Sequence, residues 1–176
     1  MFILYGLLVG LIAGFALGGR LERLATVRFR LGGVALLALA IQLMLFSPLA
    51  DSLAHELGRA VYVVSTALVG VVVLANLRLT GVPLIALGAG LNLLAIVANG
   101  GAMPASPQAL AAAGLGAGGN TNSIVVASPA FAPLTDVFAM PAWLPLANVF
   151  SIGDVLIGIG LAVAVAAAMR PGRRPS

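Results

Sequence analysis

The chain has 176 residues, 61% of them hydrophobic and 8% charged, where a soluble domain carries about a quarter charged. Too few charges are present to clothe a globule of this size, so lipid is the solvent the composition points to. The absence of cysteine and the single histidine, His55, exclude disulfides, thiolate metal sites and multi-histidine sites, and no metal or other cofactor is expected. The net charge of +4 comes from arginines in short patches beside apolar runs, without the basic face interleaved with aromatics that nucleic-acid binding requires.

Five apolar stretches are long enough, or nearly so, to cross a hydrocarbon core of about 30 Å: Phe2–Gly18, Leu31–Phe46, Ala60–Leu77, Val82–Ala98 and Val149–Met169. None alternates like a strand, and helices satisfy their own backbone in lipid. The expected fold is an all-α polytopic membrane protein, a single domain over residues 1–176 with five transmembrane helices. The first stretch begins Met-Phe-Ile-Leu-Tyr, without the basic start of a signal peptide, and reads as a retained helix. Its Gly6, Gly10, Gly14 and Gly18 recur every fourth residue and form a smooth stripe. That stripe suits close packing within the chain, or docking of another membrane subunit or a second copy.

Arg20, Arg23, Arg28 and Arg30 follow the first stretch, where Arg20–Arg30 reads as a headgroup-level segment. Arg78 sits between the third and fourth stretches, and Arg170, Arg173 and Arg174 follow the fifth. If the helices alternate in direction, all these arginines lie on one side and only Arg59 on the other. The positive-inside rule makes that side cytoplasmic and puts the N-terminus outside a bacterial inner membrane. Pro48 and Asp51 mark the exit of the second stretch; Asp51, Glu56 and Asp136 fall outside, and His55 and Glu56 read as surface residues of a short loop.

The segment 99–148 holds one charge, Asp136, and six prolines. It is too apolar for a solvated loop and too broken for a spanning helix. It is expected to lie in the outer leaflet, partly re-entrant, with irregular backbone buried in protein or facing a polar cavity. Ser106-Pro107 followed by Gln-Ala-Leu-Ala-Ala-Ala-Gly predicts a short helix with a serine cap, proline in its first turn and glycine after its end. Phe131, Phe138, Met140 and Trp143 read as interfacial anchors.

The candidate for chemistry is Asp154, placed about one and a half turns inside the fifth helix. A carboxylate there costs about 2.5–3.5 kcal/mol in lipid, so it needs a partner, a proton or the bundle interior. Asn148, Ser151 and Asp154 are spaced by three and would share a face, while Asn92 and Asn99 share a face of the fourth helix and complete a candidate polar pocket. The plainer alternative is a polar helix start, with Asn148 as cap and the acid favoured by the helix dipole.

Two resemblances follow from these motifs. The helix order, Asn-Gly-Gly-Ala-Met-Pro at Asn99–Pro104, the Ser-Pro-Gln-Ala-Leu after it and Asn-Val-Phe-Ser-Ile-Gly-Asp-Val-Leu-Ile at Asn148–Ile157 resemble a small bacterial membrane family, domain of unknown function 5317. That resemblance implies a topology and no activity. Phe150-Ser-Ile-Gly-Asp154 is similar to the Phe-Asn-x-Ala-Asp of lipoprotein signal peptidases, membrane aspartic proteases. Thr135-Asp136-Val-Phe resembles their Val-Asp-Phe run, and Asn99-Gly-Gly-Ala-Met their Asn-x-Gly-Ala element. This implies Asp154 and Asp136 as a catalytic pair. The family's Gly-Asn-x-x-Asp-Arg is met only by Gly119-Asn120-Thr-Asn-Ser123-Ile124, which lacks both the aspartate and the arginine.

Three functions are then open: a non-catalytic accessory subunit or scaffold of a membrane complex, an outer-leaflet hydrolase using Asp136 and Asp154, and a small transporter or proton relay through Asp154, Asn92 and Asn99. The absence of an internal repeat argues against the last. The non-catalytic reading is preferred.

Overall fold

The computed structural model describes residues 2–45, 55–115 and 123–170. Pro48, Asp51, the Gly119-Asn120 run, Arg173 and Arg174, and the side chains of His55, Glu56 and Arg59, lie outside that description. The protein is mostly helical, and the residues divide by internal contact into two units, Met1–Val27 with Leu79–Ser176, and Arg28–Arg78.

The second unit consists of helices α2 (Gly32–Leu45) and α3 (His55–Ala75), packed on each other. Helix α3 begins five residues before the apolar stretch that starts at Ala60. Hydropathy marks where apolar residues begin; the backbone ladder extends through a polar turn that contains no proline. At the other end, Asn76 is 1% exposed. Its Nδ2 donates to the carbonyls of Val72 (2.7 Å) and Arg30 (2.9 Å), and its Oδ1 accepts from Arg30 N (2.8 Å). One amide side chain thus holds the entry to α2 against the exit of α3. Thr66 Oγ1 is buried without a hydrogen-bond partner.

In the first unit α6 (Ile152–Met169) packs against α1 (Phe2–Ala16) and α4 (Val82–Ala98). The contacts advance in the same direction along α1 and α6: a Cβ on Gly6 would lie 2.7 Å from Gly158 Cα, one on Gly10 would lie 2.8 Å from Ala162 Cα, and one on Gly14 would strike Met169 Sδ. These helices are parallel. Along α4 the contacts run the other way, Gly81 against Gly160 and Ala164, Gly88 against Gly153 and Ile157, so α4 is antiparallel to α6. Gly81 is required twice over: it caps α4 at φ +89°, a left-handed conformation, and its missing Cβ admits the α6 backbone. Met169 closes the far end, its carbonyl accepting from Arg20 N (2.9 Å) and Arg23 Nη1 (3.2 Å). A 3-10 helix, Leu21–Thr26, carries Arg23.

The described residues of segment 99–148, 99–115 and 123–148, carry secondary structure of their own. Strand β1 (Met103–Pro104) pairs in parallel with β2 (Ser123–Ile124), and β3 (Phe138–Ala139) pairs antiparallel with β4 (Val149–Phe150). Helix α5 (Pro107–Ala112) forms as its motif predicts: Ser106 Oγ accepts from Ala109 N at 3.3 Å, and Gly114 follows at φ +71°. Ala105, Ala109, Leu110, Ala113 and Val149 form its small core. Phe2 stacks on Phe150 (4.4 Å between centroids) and Phe150 on Phe138 (5.5 Å), while Tyr5 Oη donates to Pro145 O at 2.6 Å. The start of α1 is thereby tied to this layer. Phe131, Phe138 and Trp143 are exposed; Met140, expected as an anchor with them, is buried, and its backbone N–H donates to Asn148 O beside the β3–β4 pair.

Among the described residues one helix, α6, has the length and apolarity to cross a membrane, with 18 residues and a mean hydropathy of 2.2. Phe2–Ala16, Gly32–Ile41, Val64–Ala75 and Val82–Ala98 are apolar but shorter. Five full-length spans are therefore not established among the described residues. At 1.5 Å per residue, the 15 residues of α1 cover about 22 Å of a roughly 30 Å core.

Candidate functional site

The fifth apolar stretch does not start as a helix at Val149. Val149 and Phe150 are committed to β4, and Ser151 turns the chain from extended backbone (φ −102°, ψ 171°) into α6. Asp154 is therefore the third residue of the helix, not a residue deep within it. Ser151 Oγ accepts from Asp154 N (3.1 Å), and Asp154 Oδ2 accepts from Ser151 N (3.0 Å), which is a reciprocal capping box. The carboxylate also sits where the helix dipole favours negative charge.

Asn92 reaches across from α4. Its Nδ2 donates to Asp154 Oδ1 at 2.9 Å, and its Oδ1 accepts from Ser151 Oγ at 2.8 Å. The direction of each bond follows from donor capacity. An ionised carboxylate only accepts, so the amide NH2 must face Asp154, which leaves the amide oxygen for the hydroxyl proton. Ser151 Oγ also lies 3.1 Å from Asp154 Oδ2, but its one proton serves Asn92, the shorter contact. Ser151 is fully buried and Asp154 half-buried. Every polar atom in the cluster except a share of the carboxylate lone pairs is matched within the chain.

The other candidates go elsewhere. Asn99 Nδ2 donates to Ala95 O (2.7 Å) and Ala130 O (2.9 Å), and its Oδ1 accepts from Ala130 N (2.9 Å), so it fastens the 99–148 segment to the end of α4. Asn148 neither caps α6 nor shares its face with Ser151 and Asp154, because it precedes β4; its Oδ1 accepts from Val149 N at 2.9 Å. Asp136 is 7% exposed, with its N–H donating to Pro104 O and its carbonyl accepting from Ser106 N. Gly6, Gly10 and Gly14 face α6, whereas Gly18 adopts φ +75° past the end of α1 with open space around it. Among the described residues no group of three or more His, Cys, Asp or Glu side chains could hold a metal ion.

Sequence reasoning missed the residues that let Asn92 arrive. A Cβ on Gly153 would collide with Asn92 Oδ1 and come within 2.7 Å of Gly88 O. The signal was present: Gly81 and Gly88 on α4, and Gly153 and Gly160 on α6, are both pairs spaced by seven, and in antiparallel helices they meet as Gly81–Gly160 and Gly88–Gly153. Asn76 and the Phe2–Phe150–Phe138 stack were also unmarked.

The sequence model of a family described as a family of unknown function (DUF5317) matches residues 26–166. The chain belongs to the DUF5317 family. In DUF5317 terms the match takes in α2 through most of α6, including Asn92, Asn99, Asp136, Asn148, Ser151 and Asp154, and leaves the α1 glycines outside it. No curated protein and no solved structure matches the chain. The resemblance of Phe150–Asp154 to lipoprotein signal peptidases therefore gains no support from comparison with known proteins.

Proposed function

We propose that this protein is an integral component of a bacterial cytoplasmic membrane that acts without catalysis, as an accessory subunit or scaffold for other membrane subunits. The observation that carries the non-catalytic reading is the engagement of Asp154. One carboxylate oxygen accepts from Asn92 and the other from the backbone of Ser151. A hydrolytic aspartate must present an oxygen to water and share a proton with a second carboxylate; this one is used to fasten α4 to the start of α6.

The membrane reading is supported by where residue types lie. The buried set is rich in Gly and Ala, while Leu8, Ile12, Leu36 and Val97 are more than half exposed. Small residues inside and large aliphatics outside is the arrangement of helices that pack in lipid; in water so much exposed apolar surface would drive association. The parallel α1 and α6, the antiparallel α4 and the arginines Arg20, Arg23 and Arg170 at one end fit an outside N-terminus and cytoplasmic C-terminus. Helices α1 and α4, with 15 and 17 residues, approach the lower end of spanning length, roughly 17 residues.

The test combines fractionation with purification. The chain should stay with membranes through alkaline carbonate, and it should copurify with partner subunits in a fixed ratio. Asp154→Asn should lower its thermal stability while the remaining folded protein keeps its partners. A protein that purifies alone and has an activity abolished by Asp154→Asn at unchanged stability would overturn the scaffold reading.

A further inference from the structure

We propose that the arginines gathered where α1 meets the C-terminal end of α6 bind the phosphate of an anionic phospholipid of the phosphatidylglycerol kind. The proposal rests on the membrane reading above. The bonds from Arg20 N and Arg23 Nη1 to Met169 O bring Arg20, Arg23 and Arg170 to one end of two parallel helices. Glu22 is the one acid among them in sequence, and it is exposed. The guanidinium groups of Arg20 and Arg170 are exposed and carry no ion pair or hydrogen bond among the described residues. The cluster thus holds surplus positive charge with unused donors, and guanidinium donors match phosphate oxygens in geometry.

Two features make a lipid, rather than a free anion, the fitting occupant. Leu17 and Leu21 flank Arg20 and are 54% and 49% exposed, so acyl chain can lie along apolar surface while the headgroup meets the arginines. The carbonyl end of a helix carries partial negative charge that opposes a phosphate. Here the Met169 carbonyl is already occupied by one backbone N–H and one guanidinium, which offsets that opposition and leaves the other two arginines to act outward. Phosphatidylglycerol offers a net negative phosphate; phosphatidylcholine cancels its own with an ammonium.

The experiment is native mass spectrometry of the full chain in detergent, titrated with phosphatidylglycerol and phosphatidylcholine of identical acyl chains. Near an anionic surface each basic residue contributes a factor of about five, so two free arginines predict a preference for phosphatidylglycerol of roughly 25-fold. The double variant Arg20→Gln/Arg170→Gln keeps both bonds to Met169 O and should lose most of that preference. Arg20→Lys/Arg170→Lys, with charge retained, should keep most of it and shows that the loss is not misfolding. Equal binding of the two lipids, or a preference that survives both glutamines, overturns the proposal. So does retention of inorganic phosphate with no preference between lipids, which would make this a free-anion site. A chain that stays soluble without detergent overturns instead the membrane reading beneath it, and that outcome is distinct from equal lipid binding.

Discussion

The substitution Gly153→Ala isolates the contact that builds the Asn92–Ser151–Asp154 cluster. Within a helix, replacing glycine by alanine normally stabilises by about 1 kcal/mol. At Gly153 the added methyl occupies the position of Asn92 Oδ1 and presses on the Gly88 carbonyl. Either α4 moves off, at an overpacking cost of about 1–3 kcal/mol, or Asn92 turns away and its bond to the Asp154 carboxylate is lost, at about 1.5–3 kcal/mol. The net expectation is destabilisation of up to about 2 kcal/mol once the helix gain is subtracted, a fall in melting temperature of up to about 8 °C for a chain of this size. Gly90→Ala on the same pair of helices is the control. No atom lies within 4 Å of a Cβ at Gly90, so that substitution should raise the melting temperature by about 2–4 °C. Circular dichroism of detergent-solubilised protein through a thermal ramp reads both. Adding Asn92→Ala to Gly153→Ala removes the obstructing amide, so the pair should cost less than the sum of the single changes. A Gly153→Ala protein that melts at or above the parent temperature would refute the close approach on which this site depends.

Asn76→Ala removes three hydrogen bonds at a buried position and should cost about 2–4 kcal/mol in the same melting assay; Asn76→Asp should be nearly as harmful, because a carboxylate cannot donate to the Val72 and Arg30 carbonyls. Thr66→Val deletes a buried hydroxyl that has no partner and should stabilise by about 1 kcal/mol, measured as a rise in melting temperature. Ser151→Ala keeps the Asp154 carboxylate but removes the cap on the first turn of α6; it should cost about 1 kcal/mol and speed hydrogen exchange at the Asp154 amide, while amides deep in α6 stay protected.

Signals read over a few residues were legible in the sequence. Ser106-Pro107 with Gly114 predicts α5 because cap, proline and terminating glycine are local chemistry that needs no tertiary partner. The boundary of α6 was not legible, since Val149 and Phe150 are as apolar as the helix they precede, and only pairing with Phe138 and Ala139, ten residues and more upstream, makes them strand. The same pairing removes Asn148 from the helix face that its spacing suggested, and moves Asp154 from the interior of the helix to its first turn. Asn92 and Asp154 are legible as candidates for one polar pocket, as polar residues within apolar stretches. That they meet depends on the register of α4 against α6, and that register is set by residues with no side chain at all.

In water, apolar side chains drive helices together and polar ones tolerate it. Here the largest aliphatic side chains of α1 face outward, at Leu8 and Ile12, and its glycines face in. Close contact between helix backbones, at Gly6–Gly158 in the parallel pair and at Gly81–Gly160 and Gly88–Gly153 in the antiparallel pair, then supplies dispersion and weak polar contacts, which in the membrane setting proposed above lipid would not match. Backbones held this near fix the depth of Asn92 relative to Ser151 to within a hydrogen bond, and a polar cluster so fixed penalises any sliding of α4 by a turn, because each such slide strands an amide and a carboxylate without partners. The glycines allow the approach and the polar cluster selects one register of it, which is a sufficient reason for a carboxylate to sit in an apolar bundle without any reaction to perform.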